Sequence, residues 1–439
     1  MFKFSLEHIW LIAYILLWVF SLIFFWRREK RFSATILILL SYLGYSLVSW
    51  KYYYISFPEY SGIRFFPFVF QFIMILIAMR PVTQYCSHKE TILANTNKRV
   101  LSVFLLVWVL CSLFAMIQSF PNMREGIFRI LTDAAAGQDI YDDTMADASD
   151  IGNGTSIGNL PIVFSNVFAD VGTLFCFYYI VKYKPNKFYA ILMMVAMIAP
   201  FFQAISVSQR GPALDRLYSI AITYMLLRPY YSEKVKKIAR LGAILIGAFL
   251  VVAMFAITMS RFGRESEEKA GESVYAYVGM ENLNFNLYAF DNNGLRYGDR
   301  TAPIFKRMLG FRNVPTNFMQ RRAKYPHLKI DDGLFIGFVG DFCLDYGPFL
   351  SVLLFLLFSA LFCMKTIPRK KTIQLHQLVL IQFAACVCMC GGMKLFSFAD
   401  LGNLKIIAVL LTYWLFKYCP KGKKKSISRY QQNKLVPQE

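Results

Sequence analysis

The stretch LEHIWLIAYILLWVFSLIFFWRREKR, Leu6 to Arg31, decides the reading of the whole chain. An apolar run of about 20 residues is long enough to cross a bilayer as a helix. Here the run spans 6–26 and stops abruptly at Arg27, Arg28, Lys30 and Arg31. It does not read as a cleavable signal: only Lys3 precedes it, no small-residue cleavage site follows, and the basic cluster closes it.

The same pattern repeats along the 439 residues. Further apolar runs lie near 33–50, 63–79, 100–118, 161–181, 188–207, 212–227, 241–259, 342–364, 375–393 and 402–418, about eleven with the first. The composition agrees. Hydrophobic residues make up 56% and charged residues 17%, below the roughly 25% usual in soluble domains. Mean hydropathy is +0.43. The expectation is one all-α polytopic membrane domain over 1–439.

A net charge of +21 in a soluble protein would suggest nucleic acid. Its distribution excludes that. The basic clusters fall in every second connection: Arg27–Arg31, then Arg80 to Arg99, Lys182–Lys187, Arg228–Arg240, Lys365–Lys371 and the tail 419–439. Basic loops mark the cytoplasmic side. The expected topology therefore has the N-terminus outside and the C-terminus in the cytoplasm.

Two long connections then fall outside. The first, 119–160, is acidic, with Asp133, Asp139, Asp142, Asp143, Asp147 and Asp150. The second, 260–341, mixes both signs. Its segments SVYAYVGMENLNFNLYAF (273–290) and APIFKRMLGF (302–311) have helical spacing and predict short helices lying on the outer membrane face. Motifs for nucleotides, zinc or a serine nucleophile are absent from the sequence. The three sulfurs of CVCMC, 386–390, do not share one helix face and read as packing residues. Neither a metal nor a cofactor is expected.

Charged residues at a membrane boundary are costly and mark candidate sites. In SVSQRGPALDRL, 206–217, Gly211 and Pro212 predict a helix starting beside Arg210. An arginine next to the unpaired N–H groups of a helix start suits an anion. Arg216 lies about a turn further in. Asp215 either holds an arginine or acts on a proton. Alternatively Arg210 snorkels to headgroups and Asp215–Arg216 is a local charge cluster. Arg261, Arg264, Arg321 and Arg322 in the second outer loop are candidate phosphate contacts, since guanidinium forks match phosphate geometry. In DDGLFIGFVGDFCLDYGPF, 331–349, Asp341 and Asp345 are four apart and share a helix face. Either is a candidate general base for a hydroxyl; the alternative is an ion pair with loop arginines or a helix cap.

SVSQRGPALDRL resembles the small-residue–Arg–Gly signature that opens a membrane helix in O-antigen polymerases and ligases. YVGMENLNFN (277–286) and GFVGDFCLDYGPFLSVLLFLLFS (337–359) resemble segments of oligosaccharide repeat unit polymerases. The resemblance implies a glycosyltransferase class C fold of the B type. It implies polymerisation of undecaprenyl-pyrophosphate-linked repeat units into O-antigen, capsular or exopolysaccharide, at the outer face of the bacterial cytoplasmic membrane. Arg210 would bind pyrophosphate, and Arg264 or Arg321 would supply a second arginine. A chain-length regulator and a flippase would be partners. The ligase branch uses an outer-loop histidine, and around His327 no ligase pattern is present. The rivals are a lipid-oligosaccharide flippase or other transporter, for which no internal repeat is evident, and a non-catalytic scaffold for envelope assembly, which would not need an arginine-rich outer site.

Overall fold

A computed structural model describes residues 6–88, 91–132, 160–206, 210–237, 239–240, 242, 267–330, 333–367, 371–392, 398–419 and 427–428. The chain is mostly helical. Among the described residues, five helices are long and apolar enough to cross a membrane: α1 (Leu6–Glu29), α2 (Ala34–Ile55), α3 (Phe65–Ser87), α4 (Lys98–Thr132) and α12 (Gly337–Thr366). A sixth is a bent pair, α5 (Leu160–Val167) and α6 (Ala169–Tyr183), which meet at 64°. This is the make-up of a multi-pass helical bundle. Shorter or less apolar helices are α7 (Lys187–Ser206), α8 (Arg210–Leu227), α9 (Glu267–Asn284), α10 (Pro303–Met308), α11 (Phe318–Lys324), α13 (Leu375–Cys390) and α14 (Leu401–Tyr418). Helices thus lie over every expected run except 241–259, of which only residue 242 is among the described residues. Most of the acidic connection, Arg261, Arg264 and most of the basic tail are outside them. α4 runs on through Pro121 to Thr132, so the connection expected from 119 is helical up to that residue.

Contacts divide the chain into two compact units, where one integral domain was expected. Unit 1 is Met1–Ser87, Gly271–Lys365 and Ala384–Ile407. Unit 2 is His88–Ala270, Thr366–Phe383 and Ala408–Glu439.

In unit 1, α1, α2 and α3 pack on one another. Leu11, Tyr14 and Trp18 recur at helical spacing and form the buried stripe of α1. Trp18 stacks on Tyr42 with ring centroids 4.9 Å apart, and Tyr14 stacks on Phe68 at 4.8 Å. The opposite face exposes Leu16, Phe20 and Phe24. Ser33 caps α2 by accepting from the Ile36 N–H at 3.3 Å, satisfying one of the free donors at the helix start.

Unit 2 packs α4 against α5, α6 and α7, and α8 against α6 and α7. A small sheet joins three two-residue strands: β1 (Ile92–Leu93) pairs parallel with β2 (Thr372–Ile373) and antiparallel with β3 (Ile427–Ser428). The Tyr178 hydroxyl and the Lys182 ammonium donate to the carbonyls of Ala94 and Leu93, both at 2.6 Å.

Trp108 sets the closest approach in unit 2. Its indole N–H donates to the Ser165 carbonyl at 3.2 Å, and its ring covers Gly172 of α6 so tightly that a Cβ there would overlap it. The ring cannot retreat without losing its hydrogen bond. Gly172→Val should therefore destabilise the protein by about 1–3 kcal/mol. A thermal unfolding midpoint at the parental value would refute this packing.

Candidate functional site

The candidate site in unit 1 grows from a break in α12. Gly347 has φ 75° and ψ 165°, a backbone conformation that a side chain would strain, and Pro348 follows it. Proline has no N–H, so the Leu344 carbonyl loses the donor four residues ahead. The break leaves the Asp345 carbonyl in the same position. Both are answered from the segment before α10: Arg296 N–H donates to the Leu344 carbonyl at 2.9 Å, and Tyr297 N–H to the Asp345 carbonyl at 3.0 Å.

The side chains repeat the attachment. Asp341 and Asp345 face the same segment, as their spacing predicts. Arg300 Nε donates to Asp341 Oδ1 at 2.5 Å, with both side chains almost fully buried. Asp345 Oδ2 accepts from the Thr301 N–H at 2.6 Å and the Thr301 hydroxyl at 2.7 Å. The Arg300 N–H points at the same carboxylate. The Thr301 carbonyl accepts from Asn403 Nδ2 at 2.8 Å, which ties the segment to α14. In this arrangement the two carboxylates hold arginine and backbone donors in place.

Asp299 is the second fastening point. Its fully buried carboxylate accepts from Lys306, from Lys324 Nζ at 2.6 Å and from the Tyr325 hydroxyl at 2.7 Å. Burial alone would raise its pKa, but these donors outweigh burial and hold the carboxyl below the usual aspartate range. Arg307 pairs with Asp400. Arg321 is buried, while Arg322 and His327 are exposed.

In the same unit, Asn284, Asn286 and Glu281 of ENLNFN, 281–286, bind neighbouring segments. Asn284 Nδ2 donates to the Phe335 carbonyl at 3.0 Å, and the Tyr60 hydroxyl donates to Asn284 Oδ1 at 3.1 Å. Asn286 binds the backbone of Arg64 in both directions, at 2.9 and 2.7 Å. Glu281 accepts from Gln71 Nε2 at 3.3 Å and lies so close to Gly337 that a Cβ there would overlap its carboxylate. A π-helical turn, Phe285–Ala289, follows.

Sequence reasoning singled out Asp341, Asp345, Arg321 and Arg322 in this unit, and the structure brings the two aspartates together. It missed Arg296, Asp299, Arg300 and Glu281. The available signal was RYGDR, 296–300, whose arginines are four apart as the aspartates are.

The other candidates belong to unit 2. α8 begins at Arg210, which puts Pro212 in its first turn. Arg216 is buried and donates to Asp170 Oδ1 at 2.6 Å, the Ala169 carbonyl at 2.9 Å and the Thr173 hydroxyl at 3.1 Å. The Ser219 hydroxyl donates to the same Asp170 oxygen at 2.6 Å. Asp215 is half-buried. Arg261 and Arg264 lie outside the described residues.

Two outcomes follow. Arg216→Ala leaves the Asp170 carboxylate without its guanidinium, and breaking such a buried pair costs about 3–5 kcal/mol. Membrane abundance and melting temperature should fall, and Arg216→Met combined with Asp170→Leu should recover them; full abundance in Arg216→Ala would refute a structural role. For Asp299, the depressed pKa contributes stability that is present above the unfolded value, about 3.9, and is lost as pH falls through the lower folded value. Residues 290–330 should resist proteolysis from neutral pH down to about pH 4. In Asp299→Asn they should be cleaved readily at pH 7, and equal resistance in that variant would count against the fastening role.

The chain matches no protein-family model, and no curated protein or solved structure is similar to it.

Proposed function

We propose that the chain is a membrane glycosyltransferase that joins lipid-pyrophosphate-linked oligosaccharide repeat units into a long polysaccharide. One observation carries the reading. YVGMENLNFN and GFVGDFCLDYGPF, two of the three stretches that resemble repeat unit polymerases, meet in unit 1 where Glu281 lies against Gly337, and Asn284 holds the Phe335 carbonyl two residues ahead of the second stretch. A likeness in isolated strings has no reason to fall on segments that touch.

On this reading the chain crosses the bacterial cytoplasmic membrane about eleven times in a class C, B-type arrangement. The N-terminus is outside, the C-terminus inside, and 260–341 lies at the outer face. The acceptor hydroxyl attacks the anomeric carbon of the donor; the new glycosidic bond forms as the bond to pyrophosphate breaks. The hydroxyl proton passes to a base; Asp341 and Asp345, the carboxylates expected for that role, are buried against Arg300 and Thr301 and hold the 296–302 segment in place instead. Negative charge grows on the departing pyrophosphate. α8 begins at Arg210, and an arginine at a helix start, where the first N–H groups lack intrahelical acceptors, would favour an anion. Asp215, Arg216, Arg261, Arg264, Arg321 and Arg322 would shape the surroundings of the two lipid-linked substrates.

The test is genetic. Deletion should replace a ladder of glycan lengths by single repeat units. Losing one donor to a developing charge typically costs about 2.7–4 kcal/mol, a rate factor of roughly 100–1000. Arg210→Ala should therefore abolish or shorten chains at normal membrane abundance. Arg210→Lys, which keeps the charge without the fork, should be intermediate. A normal ladder after deletion, with no second polymerase present, would end the polymerase reading. Lipid-linked repeats accumulating solely on the cytoplasmic leaflet would point to a flippase.

A further inference from the structure

A cavity of about 560 Å³ lies in unit 1 between the first turns of α3 and the break in α12. That volume falls within the roughly 300–1,000 Å³ of small-molecule sites. Its walls are apolar: Phe66, Phe70, Phe290, Leu295 and Pro348 all line it, with Phe349 beside them. Phe349 is 92% exposed and Phe66 64% exposed, so the cavity reaches the apolar outside of two helices long enough to cross a membrane. It exists because Gly347 and Pro348 interrupt α12, where a continuous helix would bring the next turn of side chains across the gap.

Its polar features are few and aligned with one kind of ligand. Arg64 lies at the rim, its backbone pinned on both sides by Asn286. Its guanidinium is 3.9 Å from Asp291, both side chains are more than half exposed, and a loose pair of that kind is worth little. Asp291 also pairs with Lys329 at 3.2 Å, so one carboxylate answers two cations and a positive charge is left over. Asn292, 5% exposed, lines the cavity too, and neither end of its carboxamide meets a hydrogen-bond partner among the described residues.

We propose that this cavity holds the apolar chain of one anionic membrane lipid, with its phosphate on Arg64. Apolar walls reward a hydrocarbon chain, while the few polar groups, Arg64, Asp291, Asn292 and Asn293, are too few to pair a ligand rich in hydroxyls and suit the headgroup and ester end of a lipid. The spare guanidinium selects an anion and binds phosphate through its planar fork. Two sources share this chemistry: a bulk glycerophospholipid and a polyisoprenyl phosphate. The assignment stands on the cavity alone and does not depend on the polymerase reading.

Native mass spectrometry of the purified full-length protein tests it, with dioleoyl phosphatidylglycerol, dioleoyl phosphatidylcholine and a polyisoprenyl monophosphate as probes. One phosphatidylglycerol should be retained about tenfold more tightly than phosphatidylcholine. Arg64→Gln should reduce that preference to parity. Leu295→Trp, which fills the cavity with the charge unchanged, should weaken phosphatidylglycerol retention about tenfold. Lys51→Gln, an exposed change away from the cavity, should alter neither, and unchanged helical circular dichroism confirms that each variant folds. Polyisoprenyl phosphate binding tighter than phosphatidylglycerol would identify an isoprenoid source, and equal binding a bilayer lipid; both support the site. Wild-type protein that does not distinguish the anionic lipids from phosphatidylcholine would overturn the proposal. So would an Arg64→Gln or a folded Leu295→Trp protein with undiminished retention.

Discussion

The missing N–H of Pro348 is the constraint on which unit 1 depends. A carbonyl without a donor inside a largely apolar bundle costs as much as a lost hydrogen bond. The chain resolves this by bringing back a distant segment, so that Arg296 and Tyr297 donate where residues further along α12 do not. Once those two N–H groups are in place, Arg300 reaches Asp341 and Thr301 reaches Asp345. Asp299 then gathers Lys306, Lys324 and Tyr325. A defect in one helix has become the docking point for a folded segment of some forty residues.

Both units handle buried charge in the same way. Arg300 with Asp341, and Arg216 with Asp170, are each one arginine and one aspartate; in the second pair Ser219 also donates to the carboxylate, and the Ala169 carbonyl and Thr173 hydroxyl accept from the guanidinium. Removing both charges of such a pair can be neutral, whereas removing one is not. Buried pairs of this sort therefore fix which segments meet more than they add stability.

The long helices were legible because hydropathy summed over about twenty residues measures transfer from water, and five runs, with the bent pair as a sixth, are long and apolar enough to register. The 64° bend between α5 and α6 was not legible: Phe164 and Phe168 on either side of it are both apolar, and hydropathy carries no direction. The shared face of Asp341 and Asp345 followed from their spacing. Their partner Arg300 did not, since it lies 41 positions away and no periodicity links the two. Asp215 drew attention as the neighbour of Arg216, but adjacent helical residues point in different directions. The arginine instead finds Asp170, 46 positions earlier on a helix it packs against. Local pattern gives elements and faces; the choice of partner is made by tertiary packing.

The attachment of 291–302 to α12 also bears on timing. Two backbone hydrogen bonds, a buried ion pair and the Thr301 contacts would have to break together for this segment to lift away. Openings that give up many buried contacts at once are rare compared with the fraying of loops. The segment therefore behaves as a fixed wall and not as a swinging lid. If the cavity beside it takes a lipid chain, as proposed, that chain would enter sideways past the exposed rings of Phe66 and Phe349, from the plane of the bilayer and not from water.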